Sequence, residues 1–214
     1  QDLLVAELKW TTLLLWFIWG ACSFCYYGVV LMTTELFDSS TGSLCSLSGA
    51  GAGSSCTADC RPLSHSDYVD ILWTTLAEFP GIFFTIFVIE RLGRKKTIAL
   101  EFIIFIGSIV FLFICTSSRV WLTIIIFVAR GIISGVFQAA YVYTPEVYPT
   151  SLRAVGVGTC SGVARFGAMM TPFVAQVLIR TSVHLATATY GTVAIMAAAA
   201  AIMLPIETKG RNMN

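Results

Sequence analysis

Six apolar stretches, residues 10–36, 68–89, 97–115, 120–143, 154–179 and 183–204, occupy most of this 214-residue chain. A helix needs about 20 mostly apolar residues to cross the hydrocarbon core of a bilayer, and each stretch is about that long or longer. Lipid offers no partner to a bare backbone amide, so runs of this length fold as helices that bond their own N–H and C=O groups. The composition agrees: 57% of the residues are hydrophobic and 12% charged, where soluble domains are roughly 45–50% apolar and about 25% charged. One soluble core cannot hide that surplus. The expected fold class is an all-α membrane protein with six transmembrane helices.

The heptapeptide Glu90-Arg91-Leu92-Gly93-Arg94-Lys95-Lys96 forms a tight, glycine-bent basic turn between the second and third stretches. If that turn faces the cytoplasm, Lys9, Arg91, Arg94, Lys95, Lys96, Arg153, Lys209 and Arg211 lie inside, and only Arg61, Arg119 and Arg180 lie outside. This is the distribution that positive residues impose on membrane topology. The net charge of +1 and the absence of a basic soluble face give no sign of nucleic-acid binding. The chain begins at Gln1 with no leader before the first span, and reads as a fragment or truncated product.

The 37–67 connection is rich in Ser and Gly, which argues for a mobile loop, on the non-cytoplasmic side. It holds Cys45, Cys56 and Cys60, so one disulfide with three alternative pairings is a candidate there. It offers no N-glycosylation acceptor. Cys22, Cys25, Cys115 and Cys160 sit within or at the ends of spans, and helix packing is the reading for Cys22-x-x-Cys25. Gly156-x-Gly158-x-x-x-Gly162 lacks the strand and crossover of a dinucleotide fingerprint. Gly158-x-x-x-Gly162 and Gly131-x-x-x-Gly135 instead predict close approaches between membrane helices.

Charges at membrane depth persist where they pair or line a water-filled path. Glu78, Arg130 and Arg165 each lie about ten residues into their spans, which at about 1.5 Å rise puts them at a common depth. Thr74, Glu78, Gly81 and Thr85 recur at helical spacing as one polar or small stripe, and Arg130, Ser134, Gln138 and Tyr141 make a comparable arc. Both are expected to face the bundle interior. Pro80 frees a backbone carbonyl near Glu78. Two readings stand for Glu78 and Arg130: a structural pair between helices, or groups lining a substrate or ion path. Aromatic packing is the expectation for Tyr26 and Tyr27, with a pathway role as the alternative. At the cytoplasmic ends, Glu90, Arg91, Arg94, Glu146, Arg153 and Glu207 come from three separate segments that the topology brings to one face. They are either topology signals or a network that biases one conformation, since exposed single pairs contribute only about 0–1 kcal/mol.

The basic turn resembles the D-R-x-G-R-R-K loop of the major facilitator superfamily, with Glu90 in place of Asp. Residues 145–153, Pro-Glu-Val-Tyr-Pro-Thr-Ser-Leu-Arg, are similar to the E-x-(F/Y)-P-T-x-x-R loop of its sugar and organic-ion transporters, and Pro205-Ile206-Glu207-Thr208-Lys209-Gly210-Arg211 to their P-E-T-K-G-R ending, with Ile206 inserted. Residues 10–19, 72–76 and 137–146 narrow the resemblance to one group within the family. It implies that the chain is the C-terminal half, spans 7 to 12, of a twelve-helix transporter built from two inverted three-helix repeats per half, with a central site at the midplane. It further implies an N-terminal six-helix half as partner, and a small organic solute, with coupling to H+ or Na+. Glu90, Arg91, Gly93, Arg94, Glu146, Arg153 and Glu207 then form a cytoplasmic gate network, formed when that side is closed. The pathway set is Glu78, Arg130, Gln138, Tyr141 and Arg165, the last matching an intramembrane arginine of organic-anion transporters and weakly implying an anionic solute.

The expected function is therefore secondary transport in an intracellular or synaptic-vesicle membrane, with a non-transporting binding or vesicle-trafficking module as the alternative. His65 and His184 stand isolated, without a nucleophile or metal-ligand spacing beside them, so neither enzyme chemistry, a metal nor a cofactor is expected.

Overall fold

A computed structural model describes residues 8–38, 65–113, 119–181 and 183–208, and these are helical nearly throughout. The order is α1 (Lys9–Asp38), α2 (His65–Leu76), α3 (Glu78–Leu92), α4 (Arg94–Phe113), α5 (Arg119–Val147), α6 (Arg153–Thr181) and α7 (Val183–Met203). No strand occurs among the described residues.

Four stretches are long and apolar enough to cross a membrane by length and composition: Lys9–Thr34, Tyr68–Leu92, Val120–Val147 and His184–Met203. Two of the six expected spans fall short of that measure. The described part of α4 opens on Arg94, Lys95 and Lys96 and carries Glu101 within 20 residues, and α6 dilutes its apolar content with glycines, threonines and three arginines. The second span is divided into α2 and α3 at Ala77, three residues before Pro80. Proline has no N–H to return to the carbonyl four residues back, so the helical bond to Leu76 is lost. The chain direction is kept, because Ala77 stays helical in φ and ψ and its carbonyl accepts from Gly81 N at 3.1 Å.

Helix α1 packs on α6, α7 and α5, while α4 lies between α5 and α7, and α3 lies along α5. Small residues set how near these axes come. A Cβ on Gly81 would stand 2.1 Å from the Gly131 carbonyl oxygen, and one on Gly131 would stand 2.8 Å from that of Ala77. The close approach expected from Gly131-x-x-x-Gly135 is therefore present between α5 and α3. The one expected from Gly158-x-x-x-Gly162 is not: added Cβ atoms there meet nothing within 4 Å. On α6 the glycine held against another helix's backbone is Gly167, whose Cβ would come 2.4 Å from the Gly20 carbonyl oxygen of α1. Spacing of small residues marks a permitted contact, and the neighbouring side chains decide which face receives it.

Alanines 186, 194, 197, 198, 200 and 201 are buried on α7 and give it a smooth surface. The same core holds large side chains from other helices, among them Trp19, Phe102, Phe105 and Tyr143, all nearly or fully buried. Cys22 and Cys25 lie in this core as free, buried thiols, as expected for packing residues. Phe79, Phe83, Phe84 and Phe87 of α3 point outward. The candidate disulfide residues Cys45, Cys56 and Cys60 lie outside the described residues, as do Cys115, Lys209 and Arg211.

Candidate functional site

Two of the three expected mid-span charges meet. Arg130 Nε of α5 donates to Glu78 Oε1 of α3 at 3.2 Å, and Tyr26 Oη of α1 donates to the same oxygen at 2.9 Å. The Arg130 side chain is 10% exposed and that of Glu78 27%, so the pair is embedded yet the carboxylate keeps an open side. Glu78 falls in the first turn of α3, where the helix dipole favours a negative charge. The polar stripe explains the encounter. Thr74, Gly81 and Thr85 are buried on the face that α2 and α3 turn to α5, and Glu78 lies in their row.

Tyr26 belongs to the site rather than only to the packing, which sequence reasoning did not resolve. Its ring stacks edge-on against Tyr27 at 5.3 Å and against Phe137 at 6.3 Å between centroids. Phe137 in turn contacts Tyr141 at 5.6 Å and Trp19 at 5.7 Å, and Trp19 contacts Tyr141 at 4.4 Å. Trp19 is locked by a hydrogen bond from Nε1 to Thr144 Oγ1 of 2.9 Å. An aromatic row from α1 and α5 thus leads away from the ion pair toward the Thr144 end of α5. Along that row the arc predicted on α5 turns outward: Arg130 and Ser134 are buried, whereas Gln138 and Tyr141 are exposed. Arg165 stands apart. It is exposed on α6 beside Phe166, Met169 and Met170, and forms no ion pair among the described residues.

The basic turn makes a second constellation. Gly93 has φ +92°, a backbone region costly for any residue with a Cβ. Its turn presents Arg94 N to Glu207 Oε1 at 3.0 Å, so a carboxylate from the segment after α7 caps the start of α4. Arg94 reaches α5, its Nε and Nη2 donating to Glu146 Oε1 at 3.2 and 3.0 Å. Glu146 Oε2 lies 3.0 Å from Nε but is not aligned for a hydrogen bond. Lys95 Nζ donates to the Leu204 carbonyl, and Tyr143 Oη to that of Ile206. Gly93, Arg94, Glu146 and Glu207 are therefore brought together. Arg91 is exposed with its guanidinium 4.9 Å from the Phe87 ring, and Glu90 is exposed as well. Arg153 opens α6 with a buried Nε that has no hydrogen-bond partner among the described residues.

Beneath this network, Tyr148 Oη donates to Thr12 Oγ1 at 3.0 Å. Burial pushes its phenol above the usual tyrosine range, the bond to Thr12 opposes the shift, and Cys160 adds to it. It stays neutral. Glu101, a further buried acid on α4, was not singled out by sequence reasoning: it follows a basic cluster by five residues and reads there as an end charge, and only its partner Thr85 fixes its depth.

Residues 71–212, well over half of the chain, match the family model described as Major Facilitator Superfamily. The chain is 54% identical over 215 residues to Synaptic vesicle 2-related protein of Bos taurus, covering 100% of this chain and 39% of that one. The same-named protein of Rattus norvegicus is 56% identical over 213 residues, with 99% and 38% covered. "Putative transporter svop-1" of Caenorhabditis elegans is 53% identical over 212 residues, with 99% and 40% covered. The chain spans about two fifths of the length of these relatives. The narrower likeness carried by residues 10–19, 72–76 and 137–146 was to this group, and the identities agree. With apolar helices suited to crossing a bilayer repeatedly, a family model over most of its length and relatives that match it from its first residues to its last, the chain belongs to the Major Facilitator Superfamily.

Proposed function

We propose that this chain is the C-terminal six-helix half of a secondary transporter for a small organic solute, in which α1, α2 with α3, α4, α5, α6 and α7 are spans 7 to 12 and the basic turn faces the cytoplasm. The carrying observation is the Glu78–Arg130–Tyr26 cluster, because ionisable groups are held at membrane depth mainly where they pair or face water, and this one is paired with its carboxylate partly exposed. Its carboxylate is anchored on one oxygen and open on its other side. An N-terminal half would supply the facing wall. Gln138, Tyr141 and Arg165 are exposed on the helices that would meet it, and a cationic Arg165 would favour an anionic solute. The Arg94–Glu146–Glu207 cluster serves as the cytoplasmic gate, with Arg153, Arg91 and Glu90 at its margin. A vesicle membrane fits the names of the relatives.

The test is solute uptake. In liposomes holding the full-length polypeptide that carries this sequence, Glu78→Gln and Arg130→Ala are each expected to abolish uptake across a panel of labelled organic acids and bases while protein levels persist. Unchanged uptake would make the pair a structural tie. A parent protein that binds a panel member but moves none would favour the non-transporting module.

A further inference from the structure

We propose that Glu101 is a proton-binding site, occupied while α3, α4 and α5 are packed together and emptied when their cytoplasmic ends part. The inference deepens the transport reading above by naming H+ as the coupling ion, and rests on it for direction only.

Glu101 has no exposed surface. Its Oε1 lies 2.6 Å from Thr85 Oγ1 of α3, and its Oε2 is buried without any hydrogen-bond partner. No arginine, lysine or histidine pairs with it among the described residues. Each neighbouring helix offers little. From α3 comes only the Thr85 hydroxyl, and α5 presents Gly135, where a Cβ would stand 2.1 Å from Thr85 Oγ1 and 3.1 Å from Glu101 Oε1. Of the charged residues on α5, Arg130 is committed to Glu78 and Glu146 to Arg94, and Arg119 opens the helix. Helix α7 carries His184 and Tyr190 as its titratable groups, and neither is hydrogen-bonded to Glu101. Cys22 of α1 is within electrostatic reach of the carboxyl, a buried thiol that brings no positive charge. On α4 itself, Arg94 bonds Glu146, Lys95 bonds Leu204, and Lys96 is exposed.

The hydrogen-bond geometry decides the protonation state. Thr85 Oγ1 is also 3.0 Å from the Gly81 carbonyl oxygen, and one hydroxyl hydrogen cannot serve both acceptors. If Glu101 holds the proton, its O–H donates to Thr85, and Thr85 donates to Gly81. Every hydrogen then has an acceptor, and the orphan Oε2 is merely a neutral carbonyl oxygen. If Glu101 is ionised, a buried negative charge rests on one shared hydrogen, and apolar surroundings disfavour such a charge strongly. A hard metal cation such as Na+ takes a shell of several oxygens, and beside the carboxyl the described residues offer the oxygens of Thr85 and, beyond it, Gly81.

Glu101 is seven residues from Arg94 and Thr85 seven from Glu78, roughly 10 Å along the helix axis in each case. The acid thus sits between the mid-membrane pair and the cytoplasmic network. Parting of the Arg94–Glu146 contact frees α4 from α5 and lets water reach the carboxyl. The O–H bond then breaks with its electron pair left on the carboxylate, and water takes the proton as hydronium. Closure reverses the step.

The experiment uses infrared difference spectra of the full-length polypeptide in lipid vesicles, between acid and alkaline buffer, with H+ as the only ligand and Na+ present or replaced. A protonated-carboxyl C=O band is expected at neutral pH, lost in Glu101→Gln and shifted in Thr85→Val. In Glu146→Gln, which loosens the gate, its half-titration point is expected to fall by about one pH unit, a tenfold weaker hold on the proton. Should Glu101→Gln fail to fold, the Thr85→Val shift identifies the band alone. Absence of any band that responds to either variant would overturn the site, as would a titration unmoved by Glu146→Gln or governed by Na+ instead. The readout needs no solute: a Glu101 band with these responses in a protein that moves nothing would support the proton site and refute transport.

Discussion

Arg130 on α5 and Glu78 on α3 are joined by a 3.2 Å hydrogen bond to one carboxylate oxygen, which Tyr26 of α1 shares at 2.9 Å. Three helices are thereby fixed to a single atom. Because the Arg130 side chain is 10% exposed, removing its partner strands a largely buried cation, while removing Arg130 leaves a carboxylate that can still reach solvent. The single substitutions should therefore differ. Glu78→Gln is expected to cost about 3 kcal/mol and Arg130→Gln less. The double variant should recover about 1–3 kcal/mol of the summed loss, measured as a double-mutant cycle in thermal unfolding of the purified protein. Strict additivity would mean that the two groups do not interact.

The α3–α5 crossing allows a contrast among glycines. Gly81→Ala places a methyl group 2.1 Å from a backbone oxygen, which neither helix can relieve without moving, and overpacking of this kind costs about 1–3 kcal/mol. Gly158→Ala and Gly162→Ala enter open space. They are expected to be neutral, or to stabilise α6 by up to about 1 kcal/mol through helix propensity. Parallel melting curves for the three variants check the order.

At the basic turn, Gly93→Ala combines a positive φ with a Cβ 2.8 Å from Glu207 Oε1. Loss of the Glu207 cap alone should cost about 0.5–2 kcal/mol. Both Gly93→Ala and Glu207→Ala are expected to speed tryptic cleavage at the arginines and lysines of this turn in vesicles opened to the protease. Equal rates in the parent would show that the cap does not hold the turn closed.

Tyr148 gives a pH dependence of defined sign. Its phenol is held neutral by burial in the folded state, whereas in the unfolded chain it ionises at the ordinary value of about 10. Above that pH the unfolded state binds fewer protons than the folded one, so stability falls as the pH climbs. Tyr148→Phe should lower stability at neutral pH by about 1 kcal/mol through the lost bond to Thr12. It should also flatten the alkaline decline, as followed by unfolding across alkaline buffers.

Much of this arrangement could be read from residues alone, and the failures have physical causes. Glu78 and Arg130 were legible because a charge deep in an apolar run has few tolerable environments. Tyr26 was not, since an aromatic ring among aromatic rings announces packing whether or not its hydroxyl points at a carboxylate. Glu101 was hidden by the basic residues before it. The glycine spacing on α6 misled because it names a face capable of contact, while Gly167 against Gly20 shows which face is used. Arg153 shares an end of the bundle with Arg94 and Glu146, yet its buried Nε finds no hydrogen-bond partner among the described residues.

The central claim is that the outward arc of α5 beside the ion pair faces water rather than lipid. Its most direct test is labelling of Gln138→Cys and Tyr141→Cys with a charged, membrane-impermeant thiol reagent in vesicles. The full-length polypeptide should carry no other reactive cysteine, and Phe83→Cys of α3 serves as the outward-facing control. Residues 138 and 141 are expected to react, from one side of the membrane at a time, while residue 83 stays unlabelled. Protection of residues 138 and 141 equal to that of residue 83 would contradict it.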